Sequence, residues 1–375
     1  MNSTHAMTTY QVDLFRVPMS GPGDLSGLHR LVAEGQLDPH DIVAVLGKTE
    51  GNGCVNDFTR EYASKSFASA LASYLGCTPE EIEQRVALVM SGGTEGVLSP
   101  HASIFARRPV AEKSGGGKRL AVGVAHTREF LPEELGRAIQ VEETARAVEA
   151  AMRDAGIDDV ADVHFVQIKC PLLTSERVKA ALARGKTTIT DEPYASMGYS
   201  RGASALGVAV ALGEIPVGVK DEAILSDWGL YSTTASTSAG IELLQSAIVV
   251  MGNSARAAGD TIIGHAVMRD AIDLRGVLAA FASVGLDAGA DLSEADSARV
   301  VNVFAKAEAA PDGRVRGARH TMLDDSDINS TRHARAAVGG MLAAVSGTGM
   351  IYVSGGAEHQ GPPGGGPIAV VAKVG

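Results

Sequence analysis

At 375 residues the chain is longer than one ordinary domain, and 45% apolar with 21% charged residues describes a protein with a large core. A formal net charge of −11 argues against a nucleic-acid surface, which would carry a basic stripe. The 3 cysteines form no CxxC pair, so neither a disulfide scaffold nor a thiolate zinc site is indicated. No run approaches the ~18 apolar residues of a membrane span, and the start MNSTHAMTTYQVD lacks a signal-peptide core. The expectation is a cytoplasmic enzyme with no nucleic-acid or membrane partner.

In chain order, VDLFRV predicts a strand over 12–17, and a helix lies within 22–35 with Asp24 as its N-cap. A second strand over 42–46 ends at Gly47-Lys48, followed by the turn-forming TEGNGCVNDF. Apolar residues at near-helical spacing run from Arg60 to Tyr74, and Thr78-Pro79-Glu80-Glu81 reads as the start of another helix. A strand over 86–90 delivers Ser91. The same order then recurs. Strands are predicted over 120–125 and 163–168, the latter ending at Lys169, with a long helical stretch from Pro132 to Ala155 between them. A helix over 175–184, a turn-rich insert over 185–199 and a helical run from Arg201 lead to the hydroxyl-rich YSTTASTSAG and Ser238. In the third pass come a strand over 262–268, a helix over 274–284 and a strand over 300–304 just before Lys306. A helix follows from Arg335, then a strand over 350–353 delivering Ser354, and the closing IAVVAKV pairs with an edge. Polar, small-residue stretches over 105–118 and 252–260 read as linkers. They divide the chain into units over 1–110, 111–255 and 256–375.

Each unit thus carries Lys, then Arg, then Ser. The serines open three related pentapeptides, Ser91-Gly92-Gly93-Thr94-Glu95, Ser238-Ala239-Gly240-Ile241-Glu242 and Ser354-Gly355-Gly356-Ala357-Glu358. Lys-to-Arg separations of 12, 32 and 29 residues are too unequal for a solenoid. Loops that vary while strand ends keep their chemistry mark an active-site end. A lysine drawn into a closed site loses proton affinity through desolvation and like charge, and can then serve as general base toward a serine. Small residues after the serine leave backbone N–H groups free to hold an oxyanion, and arginine offers a rigid fork of donors. Three such sets suit a small flat ring with three oxygens, opened by attack at an amide-like carbonyl. Glu95, Glu242 and Glu358 read first as helix caps or ties to backbone N–H groups, with substrate contacts as the alternative. The hydroxyls of Ser232–Ser238 read equally well as a proton relay or as pocket shaping. The scattered histidines have no metal-ligand spacing.

Through GKTEGNGCVNDFTR, MSGGTEGVLSPH, HTREFLPEELG, QIKCPLLT, GYSRGASALG, ASTSAGIEL and SGGAEHQGPPGGGP the chain resembles the ring-opening amidohydrolases, the family of cyanuric acid hydrolases and barbiturases. The likeness covers essentially the whole sequence. It implies an α/β fold of three similar repeats about a pseudo-three-fold axis, with inner strands forming a barrel-like core and helices outside. Activity on the s-triazine ring of cyanuric acid is implied first. Barbiturase activity on barbituric acid is the alternative, and a non-catalytic small-molecule binder the remote one. The family's triads fall on Lys48/Arg60/Ser91, Lys169/Arg201/Ser238 and Lys306/Arg335/Ser354. Ser238 would be the nucleophile and Lys169 its base, and Gly92, Ala239 and Gly355 would present N–H groups to substrate oxygens. The resemblance also implies no organic cofactor, and a structural Mg²⁺ or Ca²⁺ held by Glu308 with oxygens near Ala357, Gln360, Gly361, Pro362 and Gly365. A homotetramer acting on a small planar cyclic imide completes what it implies.

Overall fold

A computed structural model describes residues 9–111, 116–289 and 292–375. The first part of the chain forms β1 (Thr9–Pro18), α1 (Ser26–Ala33), β2 (Ile42–Thr49), α2 (Phe58–Leu75), α3 (Pro79–Arg85), β3 (Ala87–Gly92) and β4 (His101–Val110). The second forms β5 (Arg119–His126), α4 (Ala138–Ala155), β6 (Val163–Pro171), α5 (Ser175–Ala183), α6 (Pro193–Ala211), β7 (Ala235–Gly240) and β8 (Ala247–Ser254). After the short β9 (Ala257–Ala258) come β10 (Thr261–Met268), α7 (Leu274–Ala282), α8 (Glu294–Arg299) and β11 (Val300–Ala307). A small hairpin, β12 (Arg314–Val315) and β13 (Ala318–Arg319), precedes α9 (Ser330–Ser346), β14 (Tyr352–Gly355) and β15 (Gly366–Lys373).

One strand order occurs three times. The sheets read β3-β2-β4-β1, β7-β6-β8-β5 and β14-β11-β15-β10, with β9 added beyond β1. In each, the serine-bearing strand runs parallel to the lysine-bearing strand, and the last strand lies antiparallel between that strand and the first. All three lysine strands also break register near their start, at Ile42/Ala44, Val163/Phe165 and Val300/Asn302.

Both faces of each sheet are buried, which is why the strands read as continuous apolar runs rather than alternating ones. On β2, Val45 packs toward α2 with Phe67 and Leu71, whereas Ala44 and Leu46 enter a central cluster. On β6 and β11 the same alternation sends Phe165 and Phe304 to that cluster. Residues of all three sheets meet there, with the Phe304 ring 5.7 Å from Phe165, 5.8 Å from Tyr352 and 6.2 Å from Phe105. The short link after β8 ties the chain's two ends together. Tyr10 pairs with Ala257, Thr261 pairs with Lys373, and the Val374 N–H bonds the Asp260 carbonyl at 2.6 Å.

Several local expectations need correction. The stretch over 105–118 is not a linker from its start, because β4 continues to Val110 in full register with β1. Likewise 252–260 contains the end of β8 and all of β9. Partners distant in sequence, Thr9 for Val110, Arg119 for Ser254 and Tyr10 for Ala257, satisfy these polar-looking ends, and no local pattern reports that. Helix α6 begins at Pro193, inside the predicted insert, since its serines serve helix packing. The Gln140 side chain of α4 donates to Ser200 Oγ at 2.8 Å and Ser204 Oγ at 3.0 Å. Asp24 does not sit at the N-cap, which Leu25 occupies. Its carboxylate accepts instead from the N–H groups of Ser20 and Ser26. Thr78 and Glu81 do form the reciprocal capping pair at α3.

Candidate active site

Parity along the strands places the polar groups. Lys48 shares a face with Ala44 and Leu46, Lys169 with Phe165, and Lys306 with Phe304, so each lysine continues the central face, directly past the apolar core for Lys48 and Lys306 and past Gln167 for Lys169. Parallel register then sets Lys48 beside Ser91, Lys169 beside Ser238 and Lys306 beside Ser354. All six are buried. The arginines come from helices, Arg60 from α2, Arg201 from α6 and Arg335 from α9. One small cavity is lined by Arg60, Ser91, Gly92, Lys169, Arg201, Ser238, Ala239, Arg335, Ser354 and Gly355, together with Gly53 and Met197. Lys48 and Lys306 stand behind its serines rather than in its wall. A neighbouring hollow shares Gly53, Met197, Arg201, Arg335 and Gly355 with it, and adds Asn52, Cys54, Tyr194 and Asn329.

The cationic groups reach across from one sheet to the next. Arg335 makes a two-pronged pair with Glu95 of the first pentapeptide, Nε to Oε2 at 2.7 Å and Nη2 to Oε1 at 2.6 Å. Arg201 grips Glu358 of the third in the same way, at 2.8 and 2.5 Å. Lys169 donates to the Met90 carbonyl at 2.7 Å and Lys306 to the Thr237 carbonyl at 2.7 Å, each the residue before a neighbouring serine. The glutamates expected as caps are therefore arginine clamps in two of three copies. Their recurrence in every pentapeptide was the signal for a shared task, and sequence spacing could not show that its partner lay on another unit. The glycines before them follow from the clamps. A Cβ on Gly93, at φ +104°, would stand 2.5 Å from Arg335 Nε, and one on Gly356, at φ +77°, 2.5 Å from Arg201 Nε.

The second copy differs. Lys48 donates to Ser91 Oγ and Lys306 to Ser354 Oγ, both at 3.2 Å. Ser238 Oγ is buried with no hydrogen-bond partner among the described residues. Arg60 donates to the carbonyls of Ala239 (3.2 Å) and Cys54 (2.8 Å) instead of a carboxylate, and Glu242 lies 3.6 Å from Lys169 Nζ. The hydroxyls preceding Ser238 are occupied structurally. Ser232 Oγ accepts from the N–H groups of Thr234 and Ala235, Ser236 donates to Gln167 at 2.7 Å, and Thr237 donates to the Arg201 carbonyl at 3.0 Å. Their bonds run to neighbouring backbone and to Gln167, and among the described residues they leave Ser238 as the free hydroxyl.

Burial depresses all three lysines. Lys48 and Lys306 fall well below the ordinary ammonium range, burial being reinforced by Arg335 for the first and Arg201 for the second. Lys169 is held at about 8, lowered by burial and partly restored by Glu242.

The residues expected around a metal lie together on the loop after β14 and at the end of β11. Glu308 Oε1 accepts from the Ala309 N–H at 2.7 Å and Oε2 from Thr331 Oγ1 at 3.2 Å. Its pKa is raised by burial and by Glu358 nearby. Ala357 and Pro362 turn their carbonyls onto the N–H groups of Gln360 (3.0 Å) and Gly365 (2.8 Å), while Gly361 N–H bonds the Ser232 carbonyl at 2.8 Å. Gln360 spends its side-chain oxygen on the Thr237 N–H at 2.6 Å. Glu308 lines one cavity with Ala357, Glu358 and Gly361, and two acids among backbone oxygens suit a hard divalent cation better than zinc.

Strand-end serines and lysines joined by helix-borne arginines around one cavity are amide-hydrolase chemistry, and the family comparison agrees. Residues 13–373 match the model of the amidohydrolase ring-opening proteins, so the chain belongs to that family. It is 62% identical over 371 residues to the cyanuric acid amidohydrolase of Bradyrhizobium diazoefficiens, covering 98% of this chain and 100% of the relative. It is 57% identical to that of Pseudomonas sp. strain ADP, covering 97% and 100%. Among solved structures, a cyanuric acid hydrolase described as arising by structural concatenation superposes with a TM-score of 0.94 at 57% identity, covering 97% and 100%. The A. caulinodans enzyme gives 0.89 at 51% identity, covering 97% and 99%. Among the described residues no helix is long and apolar enough to cross a membrane.

Proposed function

We propose that this protein is a cyanuric acid amidohydrolase, opening the s-triazine ring to 1-carboxybiuret, which loses CO₂ to give biuret. The observation that carries the reading is the convergence of three Lys–Ser register pairs on one cavity. The relatives' shared activity supports the choice of ring. We read the three sheets as three repeats, over 1–110, 111–255 and 256–375, set about a pseudo-three-fold axis with a barrel-like core. The ring would lie across that axis, each carbonyl facing one serine.

Ser238 is the nucleophile in this reading. A base works best when its pKa lies near the working pH, and Lys169 is held at about 8. Neutral Lys169 takes the Ser238 proton as Oγ adds to a ring carbonyl, and the N–H of Ala239 holds the oxyanion. Collapse breaks the ring C–N bond, and Lys169 returns the proton to the departing nitrogen. Water then cleaves the acyl–Ser238 ester, with Lys169 again accepting a proton. Ser91, Ser354, Gly92, Gly355, Lys48, Lys306 and the three arginines bind and orient. Glu308 and the oxygens of Ala357, Gln360, Gly361, Pro362 and Gly365 would hold a Mg²⁺ or Ca²⁺. That ion would stiffen the loop carrying Glu358, which clamps Arg201. A homotetrameric assembly and a cytoplasmic location complete the proposal.

Purified protein offered cyanuric acid and barbituric acid separately tests it. Loss of cyanuric acid with release of biuret and CO₂ is expected. Opening of barbituric acid alone would transfer the assignment to barbiturase, and tight binding of either ring with no turnover would make the protein a binder.

A further inference from the structure

The exception at the second pentapeptide leaves two complementary atoms without partners. In the other two copies the arginine Nε meets a glutamate Oε2, at 2.7 Å for Arg335–Glu95 and 2.8 Å for Arg201–Glu358. The corresponding pair would be Arg60 Nε with Glu242 Oε2. Both atoms are buried, and each lacks a partner among the described residues. A buried donor or acceptor left unmade is costly, which favours an arrangement that joins these two. The backbone beneath differs as well. Gly93 and Gly356 take positive φ, whereas Gly240 stays in strand β7, and Glu242 folds back over it so that a Cβ there would stand 2.4 Å from Oε1.

We propose that Glu242 has two stations, Lys169 and Arg60, and that its transfer to Arg60 frees Lys169 to act as the base toward Ser238. The proposal rests on Ser238 and Lys169 being the reacting pair. Glu242 is then a positioning residue. It lines a second cavity, with Glu61, Glu83, His126 and Glu129, and is not in the wall of the ring cavity. That second cavity gives it room to move without touching the ring. The charged and titratable groups facing Lys169 are Glu242, Arg60 and Asp57, with Cys170 beside it in the strand. With Glu242 at Lys169, the ammonium form is favoured and the enzyme rests. A ring carbonyl arriving against Lys169 and Ser238 competes for that ammonium, and Glu242 completes the clamp on Arg60 that the other two copies already show. Lys169 gives its proton to solvent, and its free amine then takes the proton of Ser238. Two sheets keep their clamps permanently; the third closes its own during the cycle.

The test is the pH dependence of kcat/KM, which reports the free enzyme. The wild-type acid limb is expected near pH 8, where Lys169 loses its proton. Opposite charge at this range shifts a pKa by about 1–3 units, so Glu242→Gln should move the limb down by about one unit or more. Arg60→Met, which removes the second station and a cation that lowers the Lys169 pKa, should move it up. A limb that stays in place in either folded variant overturns the proposal. Crystals of Ser238→Ala with cyanuric acid bound give an independent check, since Glu242 should then be on Arg60. Glu242 remaining on Lys169 in that complex also overturns it. Failure of the underlying assignment looks different, because Ser238→Ala would then retain turnover.

Discussion

The first and third sheets end in the same way, and the second does not. At the ends of β3 and β14 the lysine donates to its serine and the glutamate clamps an arginine of another sheet. At the end of β7, among the described residues, the serine is free, the arginine's hydrogen bonds go only to carbonyls, and the glutamate faces the lysine. Even the layer beneath differs, with Leu46 and Val89 in the first sheet, Phe304 and Tyr352 in the third, and the hydrogen-bonded pair Gln167–Ser236 in the second. In the proposed mechanism, repetition supplies three matching walls for a ring with three matching oxygens, and departure from repetition supplies the one reactive corner. A fully symmetric cage would bind well and discriminate no carbonyl from another.

The sharpest way to break that comparison is to remove the hydroxyls one at a time. Ser238→Ala is expected to lower kcat by roughly 10³-fold or more while calorimetry still shows ring binding. Ser91→Ala and Ser354→Ala should mainly raise KM. Equal losses of kcat at all three would dissolve the distinction. Next in size is folding stability. Glu95→Gln leaves the buried Arg335 guanidinium without its counter-ion and should cost about 3–5 kcal/mol in urea unfolding. Glu242→Gln, which gives up one looser contact, should cost far less. A smaller effect concerns pH. Because the lysine must be neutral to take a proton, wild-type kcat/KM should rise with pH and level off above about 8. The smallest lies at the loop after β14, where chelation of a bound divalent ion should disturb the sole tryptophan. Trp228 stacks 5.3 Å from His359 within that loop, so its emission should shift with EDTA and recover with Mg²⁺ or Ca²⁺.

Much of this geometry was legible because it is local. A lysine that closes an apolar run, and a serine that opens a glycine-rich turn, mark strand ends wherever they occur. Their register, Lys48 to Ser91 and its two counterparts, follows from parallel pairing of consecutive strands. What stayed hidden depends on distant partners. β4 continues through Arg107 and Arg108 because Val12 and Gln11 lie opposite, and Arg107 finds Asp154 of α4 at 2.8 Å. Nothing around ARRPV announces that. Glu95 likewise reads as a cap until Arg335, 240 positions away, is seen beside it. Helix α6 begins at Pro193, ahead of the run predicted from Arg201, and its Ser200 and Ser204 hydroxyls answer Gln140 on another helix.

The link over 256–260 has a consequence for how the chain could be rearranged. Its backbone accepts from Tyr10 at Arg256, at 3.3 Å, and from Val374 at Asp260. Both ends of the described chain are therefore stitched to one short segment. A few added residues could join them into a closed circle, and new ends could be cut between the first and second sheets. Such a permutant would keep every clamp in the cavity while reading its three sheets in a different order. Its folding would ask whether any one of them has to be made first.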